Sequence, residues 1–285
     1  MSVIIGIDIG GSTTKIVGFR KKNGKNELII PQLITASDPI TSVYGAFGKF
    51  TDENGIALKE IDRIMMTGVG SSYVTRGLYG LQCHSVPEFR SIGLGGLYVS
   101  GLSSALVVSM GTGTALVHAR ENGDMTYLGG TGVGGGTVKG LSRLMLNAET
   151  WEHVVELAGC GNLANIDLRI MDLTADDGLP QLARDLTASN FGNVSDAATR
   201  EDMAAGIVNM VLETVGMLSV FGARSVGVKD IVLTGNVSRL PLCEGKFRQF
   251  DGLYEAEGLR FIVPELSPFA TVIGTALSGN AESRG

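Results

Sequence analysis

The chain has 285 residues, 44% of them hydrophobic and 18% charged, a balance that excludes disordered and low-complexity proteins. Its formal net charge is −6 and it has no run of five basic residues, so it lacks the electrostatic footprint of a nucleic-acid-binding protein and we expect no nucleic-acid partner. Cys83, Cys160 and Cys243 lie too far apart for a disulfide framework or a metal-binding pair. They predict reduced thiols in a cytoplasmic protein.

Neither a signal peptide nor a membrane partner is predicted. The N-terminus has no basic segment followed by an apolar one. The longest apolar stretch, 204–221, is interrupted by Asn209 and Glu213, and its apolar residues recur at helical spacing. This pattern indicates a buried helix of a globular protein.

The predicted elements follow two similar cycles of strand, glycine turn and strand. The first cycle has strands at 3–9 and 14–19, a helix at 40–50 and a strand at 63–66. The second has strands at 105–110 and 114–119, a glycine loop at 129–136, a helix from about 137, helix and loop over 167–198, a helix at 201–224, strands at 230–233 and 260–263 and a helix at 269–278. Such an internal repeat predicts duplicated α/β lobes.

The length of the chain also favours two lobes around a cleft, since single hydrophobic cores stop growing near about 250–300 residues. We assign residues 1–72 to a small α/β lobe and 73–268 to a larger α/β lobe with the acceptor and dimer surfaces. The terminal helix, 269–281, can pack back on the small lobe.

The strongest chemical signal is the segment from Asp8 to Lys15, whose middle residues are Ile9, Gly10, Gly11, Ser12, Thr13 and Thr14. A carboxylate at the end of a buried strand can hold Mg²⁺ through waters, glycine amides and hydroxyls can bind phosphate oxygens, and the lysine adds a positive charge. A plain hairpin would explain the glycines, but it would not explain a carboxylate at the end of an apolar run. The segment is not a Walker A loop, because that motif occurs nowhere in the chain.

Two further glycine elements could complete a phosphate site. Thr112 and Gly113 lie in a second strand–turn–strand element that ends at Thr114 and Ala115. The loop 129–137 has six glycines in nine residues, and we expect the helix after it to offer free N–H groups to a nucleotide. This loop also matches G-x-G-x-x-G, but no long buried strand precedes it, so a Rossmann dehydrogenase is not favoured.

The candidate general base is Glu88, at the start of a predicted helix. A carboxylate there could accept the proton of an alcohol that attacks ATP, but a glutamate at a helix start is more often a cap. Arg90 and His84 are either solvated residues or substrate ligands. Trp151, the sole tryptophan, is either a core residue or a plane for adenine.

Six ordered blocks, 8–15, 87–89, 110–114, 129–141, 186–192 and 269–277, resemble the type II pantothenate kinases. The resemblance implies the two-lobed actin-like ATPase fold, which is ribonuclease H-like and places a nucleotide cleft between its lobes. It implies ATP- and Mg²⁺-dependent phosphorylation of the primary hydroxyl of pantothenate, the first step toward coenzyme A. It further implies a homodimer joined through the larger lobe and feedback by coenzyme A or its acyl thioesters.

The resemblance also implies roles for individual residues. Glu88 falls on the catalytic base, and Asp8 on the metal-binding and nucleotide-binding carboxylate. The other positions that fall on or near nucleotide contacts are Gly10, Gly11, Ser12, Thr13, Lys15, Thr112, Gly113, Gly135, Gly136, Thr137, Val138, Lys139, Trp151 and Asn236.

Two positions depart from the family pattern on the acceptor side. Tyr127 stands where an arginine usually pairs with the pantothenate carboxylate, and Ala115 where a serine follows the second phosphate turn. A tyrosine donates one neutral hydrogen bond and does not replace a bidentate charged pair. Either another cation, Arg90 or Arg143, takes over, or the acceptor is not pantothenate.

Three hypotheses therefore stay open. Pantothenate is the best single acceptor, and the same fold could instead phosphorylate another alcohol, such as pantetheine or a sugar. The third hypothesis is a nucleotide switch or activator ATPase without an alcohol acceptor, although the scattered cysteines do not provide the cluster ligands that such activators use.

Overall fold

The structure is a computed structural model that describes residues 2–10, 13–22, 24–35, 38–74, 76–173, 184 and 186–281. The first half of the chain contains β1 (Ser2–Ile9), β2 (Thr14–Lys22), β3 (Lys25–Ile34), α1 (Pro39–Glu53), β4 (Ile61–Thr67), β5 (Cys83–Ser85) and α2 (Glu88–Ser100). Strands β1 to β5 form one sheet, in the order β3-β2-β1-β4-β5, in which β1, β4 and β5 are parallel. The carboxyl ends of these three strands meet at one edge.

The second half repeats this plan with more helices. It contains β6 (Ser104–Met110), β7 (Thr114–Arg120), β8 (Met125–Thr131), α3 (Gly135–Leu146), α4 (Trp151–Cys160), β9 (Leu168–Arg169), α5 (Ile170–Leu173), β10 (Thr187–Ser189), α6 (Arg200–Val226), β11 (Asp230–Thr234), α7 (Pro241–Leu253), β12 (Arg260–Ile262) and α8 (Ala270–Ala281). Its main sheet has the order β8-β7-β6-β11-β12, the same pattern of parallel and antiparallel neighbours as the first sheet. The predicted duplication of α/β lobes is confirmed.

Each central strand is apolar on both faces because helices cover both faces of its sheet. In β1, alternate residues Val3, Ile5, Ile7 and Ile9 pack with α1, and Ile4 packs on the other side with α8. In β6, Leu106 and Val108 belong to the large core with α6, and Ala105 and Val107 pack with α2. Because successive side chains of a strand point to opposite faces of the sheet, each lobe has two separate hydrophobic cores.

Helices α2 and α8 are exchanged between the lobes. Helix α2 follows the last strand of the first sheet, but its Ile92 and Leu97 pack on the second sheet. Helix α8 follows the last strand of the second sheet, and its Val272 and Ile273 pack against Val17 and Phe19 of the first. The two helices cross in backbone contact, since a side chain at Gly95 or Gly274 would collide with the opposite main chain.

Several elements differ from the sequence-based expectations. A third strand, β3, begins in the polar stretch after β2 and continues through the apolar residues Leu28, Ile29 and Ile30 at the edge of the sheet. The loop expected over 129–136 begins as the end of β8, and 167–198 contains the small β9–β10 sheet beside helix. The first sheet takes its fifth strand from β5, beyond residue 72.

The longest helix, α6, is a core helix. Within the described ranges it is the one helix long and apolar enough to cross a membrane, and 72% of its most apolar window is buried inside the protein. Thr199 caps its first turn, with Asp202 completing a capping box, and Gly227 ends it in the left-handed conformation. Backbone N–H groups of Thr199 and Asn162 lower the pKa of Asp202 to about 2.

Candidate active site

The carboxylates of the candidate site lie at the carboxyl edge of the first sheet. Asp8 is the penultimate residue of β1, and Glu88 is the exposed first residue of α2, three residues after β5. The buried Thr67 hydroxyl donates to the Val86 carbonyl (2.9 Å) and the Val86 N–H donates to the Met66 carbonyl (2.8 Å). These bonds hold the segment before Glu88 against the end of β4.

Gly68 allows the Asp8 carboxylate to lie against the backbone. Its φ of 86° and ψ of 161° belong to a region that glycine alone adopts readily. A methyl group at Gly68 would lie 2.7 Å from Oδ1 of Asp8. This close approach identifies Gly68 as a residue of the site that the sequence analysis did not assign.

Glu88 lies close enough to Asp8 to affect the pKa of its carboxyl group. Burial raises the pKa of Asp8, the positive charge of Lys15 opposes this shift and the negative charge of Glu88 adds to it, and the resulting pKa is about 6. A charge effect of this kind requires that the two carboxylates lie on the same side of the molecule. A carboxyl group that is costly to ionise in isolation is suited to receive a cation.

Lys15 joins the first lobe to the second. Its side chain is 7% exposed, and its ammonium donates a 2.6 Å hydrogen bond to the Pro268 carbonyl. Burial lowers the pKa of Lys15, while Asp8 opposes that shift. The neighbouring Ser267 carbonyl accepts from the Gly235 N–H at 3.0 Å, so the Asp8 turn lies beside the turn that ends β11.

Two of the remaining residues of the first turn, Gly10 and Thr13, belong to the described part of the chain. The Gly10 N–H donates to the Thr13 carbonyl at 3.0 Å, and Thr13 is half-buried. Gly11 and Ser12, both predicted to bind nucleotide, lie outside the described residues.

The two glycine elements of the second lobe pack on each other. The N–H of Gly135 donates to the Gly111 carbonyl (2.9 Å), and that of Gly136 to the Thr112 carbonyl (2.8 Å). We expected these amides to be free for phosphate, and that expectation is wrong. The crowding of glycines instead lets two turns approach, since a methyl group at Gly134 would lie 2.8 Å from Cα of Gly113.

The residues of helix α3 that were predicted to bind nucleotide lie in different environments. The side chain of Val138 is 1% exposed and belongs to the core, so it cannot contact a ligand. The Thr137 hydroxyl donates to the Gly132 carbonyl (2.9 Å) and accepts from the Gly134 N–H (3.2 Å), whereas Lys139 is exposed. Thr112 is also exposed, at the tip of the β6–β7 turn.

Trp151 and Asn236 lie close to this glycine junction. A methyl group at Gly135 would lie 3.3 Å from Cζ2 of Trp151 and 3.0 Å from Cγ2 of Val237. Trp151 is half-buried against the main core, and the exposed Asn236 precedes Val237. Trp151 therefore serves the core and also borders the predicted nucleotide site.

Two of the predicted acceptor residues, Tyr127 and Ala115, lie near the start of α2. The rings of Phe89 and Tyr127 stack, with centroids 3.8 Å apart and planes at 14°. A methyl group at Gly130 would lie 2.8 Å from the Tyr127 hydroxyl, and Ala115 pairs with Gly130 between β7 and β8. Arg90 lies two residues after Glu88 on α2, and residues so spaced point to different sides of a helix.

The site residues that the sequence analysis missed are Thr67, Gly68, Phe89 and Pro268. Two short repeats could have revealed the first three. Thr-Gly with a serine three residues after the glycine occurs at 67–71 and 234–238, and Val-Pro-Glu occurs at 86–88 and 263–265. The contact of Pro268 with Lys15 is tertiary and has no local signal.

Comparisons with known proteins agree with this geometry. The Fumble family model matches residues 101–241. A type II pantothenate kinase of Oceanobacillus iheyensis is 28% identical over 249 residues, covering 81% of this chain and 83% of the relative. One from Bacillus cereus is 29% identical over 245 residues, covering 83% and 84%.

Solved structures show the fold. The (R)-2-hydroxyglutaryl-CoA dehydratase component A of Acidaminococcus fermentans has a TM-score of 0.70 at 16% identity and covers 100% of both chains. The activator of the 2-hydroxyisocaproyl-CoA dehydratase from Clostridium difficile, with bound ADPNP, has a TM-score of 0.66 at 17% identity and covers 99% of this chain and 96% of its own. The chain is thus similar to type II pantothenate kinases over more than four fifths of its length, and its fold is the actin-like ATPase fold.

Proposed function

We propose that this protein transfers the γ-phosphoryl group of ATP to the primary hydroxyl of pantothenate, the first step of coenzyme A biosynthesis. The observation that carries the proposal is the shared location of Asp8, Lys15 and Glu88 at one sheet edge, beside the second-lobe turn at Gly235. The names of the curated relatives point to the same reaction.

Glu88 would act as the general base. Its carboxylate accepts the proton of the acceptor hydroxyl as the oxygen attacks the γ-phosphorus, and α2 fixes its position through the bonds of Val86 to β4. Lys15 exchanges the Pro268 carbonyl for a phosphate oxygen and stabilises the charge that develops there.

Asp8 fits a magnesium ion. Its carboxylate has no partner that compensates its burial fully, and its raised pKa reflects this. Among the described residues, no three His, Cys, Asp or Glu side chains lie close enough to hold a metal. A metal at Asp8 would therefore take its other ligands from phosphates and water, as Mg²⁺ does, and would neutralise charge on the phosphates.

The second lobe would bind the rest of the nucleotide. Thr112 and Gly113 lie toward the phosphates, Trp151 and Asn236 border the base and ribose, and Lys139 adds a positive charge at the rim. The turn that the Gly10–Thr13 hydrogen bond closes would complete the phosphate site from the first lobe.

A coupled assay tests the proposal directly. ADP release is measured with Mg²⁺ and ATP, alone and with pantothenate, pantetheine or a sugar. We expect turnover that depends on pantothenate or its amide-extended form and that requires Mg²⁺. An ATP hydrolysis rate unchanged by every acceptor would overturn the proposal and favour an acceptor-free ATPase.

We propose three further properties on the basis of the resemblance: a homodimer formed by the larger lobe, feedback inhibition by coenzyme A or its acyl thioesters, and a cytoplasmic location. Exposed Leu144, Met145 and Phe221 on α3 and α6 support the dimer surface. Sedimentation of the wild type and of Phe221→Glu tests it, with a monomeric wild type as the contrary result.

A further inference from the structure

The acceptor side of the cleft has an aromatic wall. Phe89 at the start of α2 and Tyr127 on β8 stack face to face, although 40% and 45% of their respective surfaces stay exposed. Exposed aromatic rings held in one geometry by two separate elements form a rigid apolar surface. Because Phe89 directly follows Glu88, this wall begins at the proposed catalytic carboxylate.

The polar group that the wall offers is one hydroxyl. The Tyr127 hydroxyl reaches the backbone of Gly130, beside Ala115. A hydroxyl can donate one hydrogen bond and accept others, which matches the N–H and C=O groups of an amide. A carboxylate would obtain a single hydrogen bond from it, without the second bond and the positive charge that a guanidinium supplies.

Charges near the wall disfavour an anion. Glu88 and Asp8 are both carboxylates at this edge, and Lys15 is bonded to Pro268. Arg143 on α3 pairs with Glu149 at 3.7 Å, and Arg120 at the far end of β7 pairs with Asp124 at 3.8 Å. An acceptor carboxylate packed on the aromatic wall would lose water, and neither of these arginines is available to compensate the loss without giving up its own partner.

We infer that the acceptor end remote from the phosphorylated hydroxyl is uncharged, so that an amide-extended form of pantothenate is preferred over the free acid. This inference rests on the proposed function and specifies its substrate class. Phe89 and Tyr127 are the specificity-determining residues: they pack on the neutral amide arm while Glu88 engages the hydroxyl at the other end.

The test compares kcat/KM for pantothenate, pantetheine and the N-propyl amide of pantothenate, which lacks the thiol. We expect the wild type to favour both amides by about tenfold or more. Tyr127→Arg should raise kcat/KM for pantothenate relative to the amides by about tenfold, mainly through a lower KM, because a guanidinium pairs with the carboxylate. Thr126→Arg adds the same charge on the other face of β8 and should leave the ratio unchanged.

The outcomes separate the inference from the function on which it depends. A wild type that favours pantothenate over both amides overturns the inference and leaves the kinase intact. Selective loss of pantothenate turnover in Arg90→Gln has the same meaning, since Arg90 would then hold the carboxylate. Absence of phosphorylation with all three acceptors overturns the proposed function itself.

Discussion

The two lobes carry the same turn after equivalent strands. Gly68 follows β4 with φ 86°, and Gly235 follows β11 with φ 87°. In each turn the serine three residues on donates its hydroxyl to the glycine carbonyl at 2.7 Å, Ser71 in the first lobe and Ser238 in the second. In each, a side chain at the glycine would strike the end of the neighbouring strand.

The lobes differ in charge at positions that pair in the same way. In the first sheet Asp8 lies opposite Lys15, and in the second Ser109 lies opposite Ala115. Glu88 and Glu265 both follow Val-Pro after the last strand of a sheet, but Asp8 accompanies only Glu88. The shared residues maintain the fold, and the charged residues present in the first lobe alone are the ones that the proposed reaction uses.

The largest expected effect is the contrast between Glu88→Gln and Glu265→Gln. Loss of a general base lowers kcat by about 10²–10⁴-fold, so Glu88→Gln should lose most of its turnover. Glu265→Gln removes an exposed carboxylate at the equivalent position and should keep wild-type kcat. Steady-state kinetics with the best acceptor measures both.

Fluorescence of Trp151, the single tryptophan, provides the control for nucleotide binding. Titration with ATP should give the same affinity for both variants as for the wild type, because neither glutamate borders the junction at Gly135. Equal kcat values for the two variants would refute the functional asymmetry of the lobes.

The free energy of unfolding of Asp8→Asn tests whether the buried charge of the first lobe destabilises the protein. Because the folded-state pKa of Asp8 is raised from 3.8 to about 6, ionisation destabilises the wild type as pH rises from about 4 to above 6. The neutral asparagine avoids this cost, so the variant should be more stable by about 3 kcal/mol at pH 7.5 and nearly equal at pH 4. Urea unfolding without ligands at both pH values measures the difference.

Ser109→Ala is the matched change in the second lobe and should leave the pH dependence of unfolding unaltered. A difference between Asp8→Asn and wild type that is constant with pH would show that Asp8 is ionised without penalty. That result would remove the argument for a cation at this position.

The smallest expected effect is the difference in unfolding free energy between Ser238→Ala and Ser71→Ala. Ser238 is 2% exposed and also shares a 2.9 Å hydrogen bond with the Ser267 hydroxyl, whereas Ser71 is half-buried and bonds Gly68. Ser238→Ala should cost about 1–2 kcal/mol and Ser71→Ala about 0.5–1 kcal/mol of unfolding free energy. Denaturant titration measures both, and a larger loss for Ser71→Ala would contradict the assignment.

Local sequence patterns predicted the duplicated lobes, the carboxylate at Asp8 and the helix start at Glu88, because each depends on residues close in the chain. They failed where distant segments meet. The amides of Gly135 and Gly136 looked free until the Gly111 turn was placed against them, and the stacking of Phe89 on Tyr127 joins residues 38 positions apart. Strand β3 was missed because it begins in a polar stretch and its apolar residues do not alternate regularly with polar ones.

The exchange of α2 and α8 has a consequence for biosynthesis. During translation, β1 and β2 emerge first, but the helix that covers one of their faces comprises the last described residues, 270–281. Until that segment has left the ribosome, Val17 and Phe19 stay open to water and to other chains. Folding of the amino-terminal sheet therefore waits for the synthesis of residues 270–281, and a chain released before them would expose an apolar surface to chaperones and to other chains.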